Sequence, residues 1–380
     1  MRYLSLILFF TGSMLHAQAQ FNNSLFIPDN PFLEKDSSKL FLRVENMNML
    51  KNNEYFGDFA KGYTLFGYIV KPRLVFYPSS NTRLEAGVHL LKYSGRNEFT
   101  EALPLFTFQY HVCKGVDLIM GTLQGNLYHR FIEPLYKFDR YMENNVENGA
   151  QVLVYTRFLE SDTYLNWTRF IFPGDPFKEE FSFGTVNSIK ILPENKPLTF
   201  NLRYQALIAH RGGQIDAADT SLQSLVNMAA GFELVYNFDK QLLRSAGTRN
   251  YYLSYSDISS RKALPYSMGN AVYTTIFMNT KWVDFLAGYW NGYRFYAPRG
   301  EPQFSSVSHI DLQYHEAERK LLTFKLAFHH EIYENINLVL RYGNYYDLKN
   351  SRFEFYYGMH IVFHRNFFFF FTNPNYRTFK

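Results

Sequence analysis

The sequence predicts an all-β chain: a transmembrane antiparallel β-barrel of about sixteen strands behind a cleaved leader. Three observations carry this. First, in 352–364 (RFEFYYGMHIVFH) Phe353, Phe355, Tyr357, Met359, Ile361 and Phe363 alternate with Glu354, Tyr356, Gly358, His360 and His364, and only Val362 breaks the pattern. A period of two marks a strand with one face in an apolar medium and the other near water. Phe353 to Phe363 reaches roughly 34 Å as a strand. Tilted by about 40°, it covers ~26 Å, close to the ~25 Å apolar band of a membrane barrel. Second, 198–208 and 322–332 repeat the alternation at the same length. Strands of soluble sandwiches usually run about five or six residues, so length weighs against a soluble sandwich or propeller. Third, the chain is polar on average (mean hydropathy −0.26) yet 19% aromatic, with 39 Phe and 30 Tyr. That balance fits a wall in which only alternate residues face lipid.

Residues 1–19 read as a signal peptide. Arg2 is the positive end, 4–10 (LSLILFF) the apolar core, and Ala17-Gln18-Ala19 a small-x-small cleavage site. The core is too short to span a membrane as a helix, and no later run reaches the ~18 apolar residues a spanning helix needs. Cleavage after Ala19 removes Arg2 and takes the formal charge from +5 to +4. Residues 20–37 then form a polar, Pro-containing periplasmic lead-in. Cys113 is the only cysteine, which excludes an intrachain disulfide and suits a small residue in a turn. The 39 basic and 34 acidic residues are spread along the chain, so no basic stripe for nucleic acid emerges.

Candidate strands follow in order at 38–48, 63–77, 82–93, 102–112, 115–125, 150–159, 163–172, 180–190, 197–209, 225–238, 247–256, 269–280, 282–292, 306–315, 320–332, 336–345 and 352–364. That is one run too many, because single-chain bacterial barrels use an even number of strands. Short connections at 78–81, 113–114, 160–162, 279–281 and 333–335 belong on one side and the long ones on the other. This pattern holds only if 306–315 lies in an external loop. The barrel is then 38–364, with sixteen strands; keeping 306–315 in the wall gives eighteen. The tail, 365–380, breaks the period with Phe367 through Phe371, and either extends the last strand or folds back at the interface.

The expected lumen-facing wall residues are Arg43, Glu45, Arg83, Glu85, His89, Arg157, Arg203, Glu233, Lys325, Glu331, Arg341 and Glu354. Their mixed signs predict weak ion selectivity, since strong selectivity uses rings of one sign. The longest clear loop, 126–149, carries His129, Arg130, Glu133, Lys137, Asp139 and Arg140 among five aromatic residues. Loops of this length are often functional. It either folds inward as a pore constriction or packs as an external lid.

No metal site is expected. His309 and His315 on an extended segment lie about 20 Å apart, too far for one ion with ligands near 2 Å. No catalytic residue is expected either: Ser308 and His309 are sequence neighbours that face opposite ways. Neither G-x-S-x-G nor a P-loop occurs. No cofactor is called for.

The leader, the alternating strands and the short/long connections together resemble the porin-like β-barrels of Gram-negative outer membranes, over nearly all of the mature chain. The resemblance implies an outer-membrane location, contact with outer-membrane lipid, and a passive channel for small polar solutes, saccharides among them. It also admits a homotrimer or a larger envelope complex. One departure is that Phe379 is penultimate, where such chains often end in an aromatic residue on the last strand. Two other roles stay open: a plugged barrel serving as a subunit of an envelope transport or secretion complex, and a lipid-modifying enzyme with Ser, His and an acid on the outer face.

Overall fold

The computed structural model describes residues 21, 23–28, 36–192 and 196–371. The leader at 1–19 and the end of the tail, Phe379 included, lie outside them. The described chain closes into one antiparallel barrel of sixteen strands in which every strand pairs with its sequence neighbours and the last pairs with the first. The first eight are β1 (Lys39–Glu54), β2 (Tyr63–Ser79), β3 (Thr82–Tyr93), β4 (Glu101–Cys113), β5 (Val116–Thr122), β6 (Asn148–Tyr155), β7 (Leu159–Arg169) and β8 (Glu179–Lys190). They continue as β9 (Leu198–Gly212), β10 (Gln223–Asn237), β11 (Leu243–Asp257), β12 (Met268–Thr280), β13 (Val283–Tyr293), β14 (Glu318–Tyr333), β15 (Ile336–Asp347) and β16 (Arg352–Phe371). Among the described residues no helix is long and apolar enough to cross a membrane.

The alternation works as the sequence implies. On β9, Leu202 and Tyr204 are each 42% exposed on the outside, while Arg203 (4%) and Gln205 (0%) face inward. Pairing also excludes a soluble sandwich, because closure leaves no free sheet edge.

Several strands run past their expected ends, β1 to Glu54 instead of 48 among them, and two placements differ outright. The run 306–315 is not a strand; it lies in the connection 294–317 and contributes one isolated bridge, Val307 to His315. The turn expected at 160–162 falls instead at 156–158, where the Thr156 hydroxyl bonds the amides of Phe158 and Leu159. Glu160 and Asp162 are therefore wall residues of β7. The phenylalanine run extends the last strand: Phe367 and Phe368 pair with Leu42 and Phe41 of β1, and Phe371 pairs with Lys39. Lead-in residues Phe21 and Phe26 are not solvated but buried inside the barrel. Cys113 is exposed beside the β4–β5 turn.

Candidate functional site

Between β5 and β6 the chain turns into the lumen. Its apolar side chains Leu127, Phe131, Ile132, Leu135, Tyr136 and Met142 are each no more than 2% exposed. Asn126 (φ 56°), the first residue of a single 3-10 turn over Asn126–His129, and Arg130 (φ 59°), which caps its end, both have positive φ. The segment then crosses to strands on the far side of the barrel.

Polar anchors fix its two ends and middle. His129 bonds Asp162 of β7 through Nδ1 and Glu147 through Nε2, both at 2.8 Å, and stacks on Tyr164 with ring centroids 3.6 Å apart. Burial disfavours a charged imidazole, but the two carboxylates outweigh it and hold His129 up at about 9. Burial likewise opposes ionisation of Glu147, yet His129 and the Tyr136 hydroxyl hold it down at about 2. Gln205 on β9 clamps the loop backbone in both senses: its Oε1 accepts from Ile132 N at 2.9 Å and its Nε2 donates to Arg130 O at 3.3 Å.

Two of the loop carboxylates, Glu133 and Asp139, each meet a lysine and a tyrosine of the wall. Glu133 accepts from Lys325 Nζ (β14) and from Tyr345 OH (β15) at 2.7 Å. Asp139 accepts from Lys51 Nζ and Asn53 Nδ2 of β1, the latter at 2.9 Å, and from Tyr63 OH of β2 at 2.6 Å. Against the cost of burial, Lys51 and Tyr63 hold Asp139 at about 2. Lys137 pairs within the loop to Glu143 at 2.7 Å, Arg130 reaches Glu160 at 3.5 Å, and Arg140 lies 5.1 Å from the Tyr136 ring centre.

Two more segments fill the lumen. The connection 294–317 abuts the loop through Lys137 N to Arg299 O (2.8 Å) and Glu301 N to Glu133 O (3.0 Å). Gly300 permits this, since a Cβ there would lie 2.1 Å from Pro134 O. Burial, with Glu133 and Asp139 nearby, pushes the Glu301 carboxyl up to about 7. From the other side, the lead-in places Phe26 edge-on to Phe138 (5.3 Å) and His360 (5.2 Å). The Arg341 guanidinium donates to Asn23 Oδ1 at 2.8 Å and covers the Phe138 ring at 4.0 Å. At the long-loop end Phe59, Gln303, Arg319, Tyr345, Asp347 and Glu354, among others, line a small cleft.

Most of the expected wall residues do face inward, in clusters. Glu85 gathers Arg43 (2.7 Å), Arg83 (3.1 Å) and Arg73 (3.0 Å), and Glu45 lies 3.9 Å from Arg73. Glu233 pairs with Arg203 at 3.0 Å and with Arg249 at 2.9 Å. His89 is fully buried 3.4 Å from Glu101, and Glu354 accepts from Gln303. Two assignments are corrected. Arg157 is exposed in the β6–β7 turn over the Phe158 ring, because that turn begins earlier than the sequence suggested. Glu331 keeps the inward parity but stands exposed at the short-turn end of β14.

Sequence reasoning missed Asp162, Glu147, Lys51 and Gln205, whose roles depend on which strand the loop reaches. It also missed a polar pair on the outer face. His210 Nδ1 on β9 lies 2.8 Å from Ser224 Oγ on β10, in directly opposed positions, with the Phe181 ring tilted against the imidazole at 4.7 Å and Trp167 next in the row. Both residues share the outward parity of Tyr204 and Met228. Knowing that 213–222 is a hairpin connection would have paired them.

No curated protein matches this sequence. Among solved structures, OprD from Pseudomonas aeruginosa is 8% identical with a TM-score of 0.49, covering 89% of this chain and 98% of its own. OccAB3 from Acinetobacter baumannii is 10% identical (TM-score 0.47; 86% and 99%), and a BenF-like porin from Pseudomonas fluorescens is 9% identical (0.48; 88% and 100%). A family model described as Lipid A 3'-O-deacylase-type matches residues 32–372, which takes in all sixteen strands and the inserted loop, and the chain belongs to that family.

Proposed function

We propose that this porin-like barrel is an outer-membrane channel for small polar solutes, saccharides among them, seen with its constriction closed. One observation supports this reading most: 123–147 crosses a lumen walled by charged residues and is anchored there by side chains. The wall does not need the loop for its own backbone hydrogen bonds, because neighbouring strands supply them. His129, Arg130, Glu133, Lys137, Asp139 and Arg140 form the constriction. The exposed outward faces, including Phe66, Leu74, Phe106, Ile276 and Leu322, suit a lipid surround. The test is single-channel recording in planar bilayers. The intact protein should give small, infrequent steps, and deletion of 131–143 should give large stable ones while heat-modifiable gel mobility stays that of a folded barrel. A folded deletion variant that conducts no ions would end the reading.

A second reading is favoured by the His210–Ser224 pair and the family's name. It is hydrolysis of an acyl ester of a lipid A-like glycolipid on the outer wall. Ser224 Oγ would add to the ester carbonyl while His210 Nδ1 takes its proton and returns it to the leaving hydroxyl; water would then release the acyl group as a carboxylic acid. Fatty acid released from lipid A-containing vesicles, lost in Ser224→Ala and in His210→Ala, would support it. Release unchanged in both variants, or absent from the intact protein, would remove it.

A further inference from the structure

The middle of the lumen shows an asymmetry between wall and loop. In the barrel register, Gly358 of β16 is flanked by Arg341 of β15 on one side and Lys51 of β1 on the other. Lys325, on β14, opposes Gly343 of β15. The Tyr356 ring binds this group together, 4.5 Å from Lys51 Nζ and 6.0 Å from Lys325 Nζ. On these four strands the inward residues one step above and below Lys51, Lys325, Arg341 and Gly358 are neutral side chains such as Asn53, Thr323 and Tyr356, with His360 beside them. None is a carboxylate. Lys51, Lys325 and Arg341 are nevertheless each 6% exposed or less, and buried cations without counter-ions are strongly disfavoured.

Their counter-ions come from the loops. Glu133 sits on Lys325 and Tyr345; Asp139 sits on Lys51 and Tyr63. Arg341 has no carboxylate partner among the described residues and is covered by Asn23 and by Phe138, Phe26 and Phe21. Glu301, from the other connection, adds a carboxylate in the field of Glu133, Asp139 and Lys51, and Lys137 adds a loop cation.

We infer that Lys51, Lys325 and Arg341 form an anion-recognition site in the wall, which Glu133 and Asp139 occupy as tethered competitors while the loop is docked. The solutes this channel selects are then small organic anions, carboxylates or phosphate esters. This rests on the channel reading above and deepens it. Each lysine–tyrosine pair already holds a carboxylate in the geometry a free one would take. Arg341 supplies a third donor, exposed once Phe138 and the lead-in withdraw. Undocking the loop would take Glu133 and Asp139 off these side chains and leave a one-sign patch of three cations on β14, β15 and β1 facing the path, and charged groups of one sign are what confer selectivity.

The experiment is reversal-potential measurement in a potassium chloride gradient, followed by block of the current with added sodium phosphate and sodium gluconate. The 131–143 deletion should reverse near the chloride equilibrium potential and be blocked by either anion. Glu133→Gln with Asp139→Asn should move the same way with the loop still present, which guards against a deletion that fails to fold. Adding Lys51→Gln, Lys325→Gln and Arg341→Gln to the deletion should abolish both the chloride preference and the block. A deletion variant that conducts but is unselective or prefers potassium overturns the anion site and leaves the channel standing. A folded deletion variant that conducts nothing overturns both.

Discussion

His129 concentrates the chemistry of loop docking in one imidazole. It is protonated between two carboxylates in a buried site, so its charge is what makes Asp162 and Glu147 tolerable there. Its raised value means that the stabilisation is complete below about pH 6.5 and is lost as pH climbs through about 9. Glu147 works in the opposite sense: its contribution is complete above about pH 4.5 and disappears as pH falls through about 2. The docked loop is therefore held hardest between about pH 4.5 and 6.5, and weakens on the alkaline side first. Amide hydrogen exchange across 123–147, corrected for intrinsic rates, should accelerate above pH 9 while the wall strands stay protected. In His129→Gln the same segment should exchange fast at every pH, since breaking a buried pair costs about 3–5 kcal/mol. Unchanged protection in that variant would show that the apolar side chains alone dock the loop.

At the scale of elements, the two faces of each strand answer to different media. Leu202→Arg, Leu326→Arg and Met359→Arg place charge against lipid and should each cost about 2–4 kcal/mol near the bilayer midplane. Arg at Gln205 or Thr323 should spare insertion, but Gln205→Arg should free the loop, because Gln205 is its backbone clamp. Folding titrations in detergent or lipid would separate the two: equal losses on both faces would contradict the assigned parity. This parity is the part of the fold that was legible in advance. Wall strands announce themselves because each alternate residue meets a different solvent, a purely local signal. The segment 306–315 imitates that signal with Val307, His309, Asp311, Gln313 and His315, yet it has no partner strand beyond one bridge. The Thr156–Leu159 turn was misplaced because Glu160 and Asp162 look like turn residues until Arg130 and His129 are seen to need them. The inward course of the loop was one of two readings left open. Its aromatic residues fit a lid or a plug equally well, and the deciding partners, Lys51, Gln205 and Lys325, lie far away in sequence.

For the whole molecule, the seam between β1 and β16 carries the closure. β16 is the longest strand at 20 residues, and Phe367 through Phe371 are its final pairing positions against Leu42 through Lys39. Truncation after Asn366 should leave that stretch of β1 paired to β2 alone, with an open edge of the kind that pairs with other chains on its other side. Gel filtration and heat-modifiability should then show aggregation or a lowered unfolding temperature. A truncated barrel as stable as the intact one would make the phenylalanine run dispensable.

The seam also dictates an order of events. Lys51 stands on its first strand and Lys325 two strands before its last, so Glu133 and Asp139 cannot both find their lysines until the cylinder is complete. Pairing the two ends of a chain is entropically the most remote contact it can make, and such contacts form slowly. During assembly Asp139 can reach Lys51 and Tyr63 on the paired β1 and β2, but Glu133 has both of its partners only once β14 and β15 are brought round, so the loop gains its full set of anchors late. Sealing of the bore is then a product of the closing step itself, so each finished molecule leaves assembly already shut.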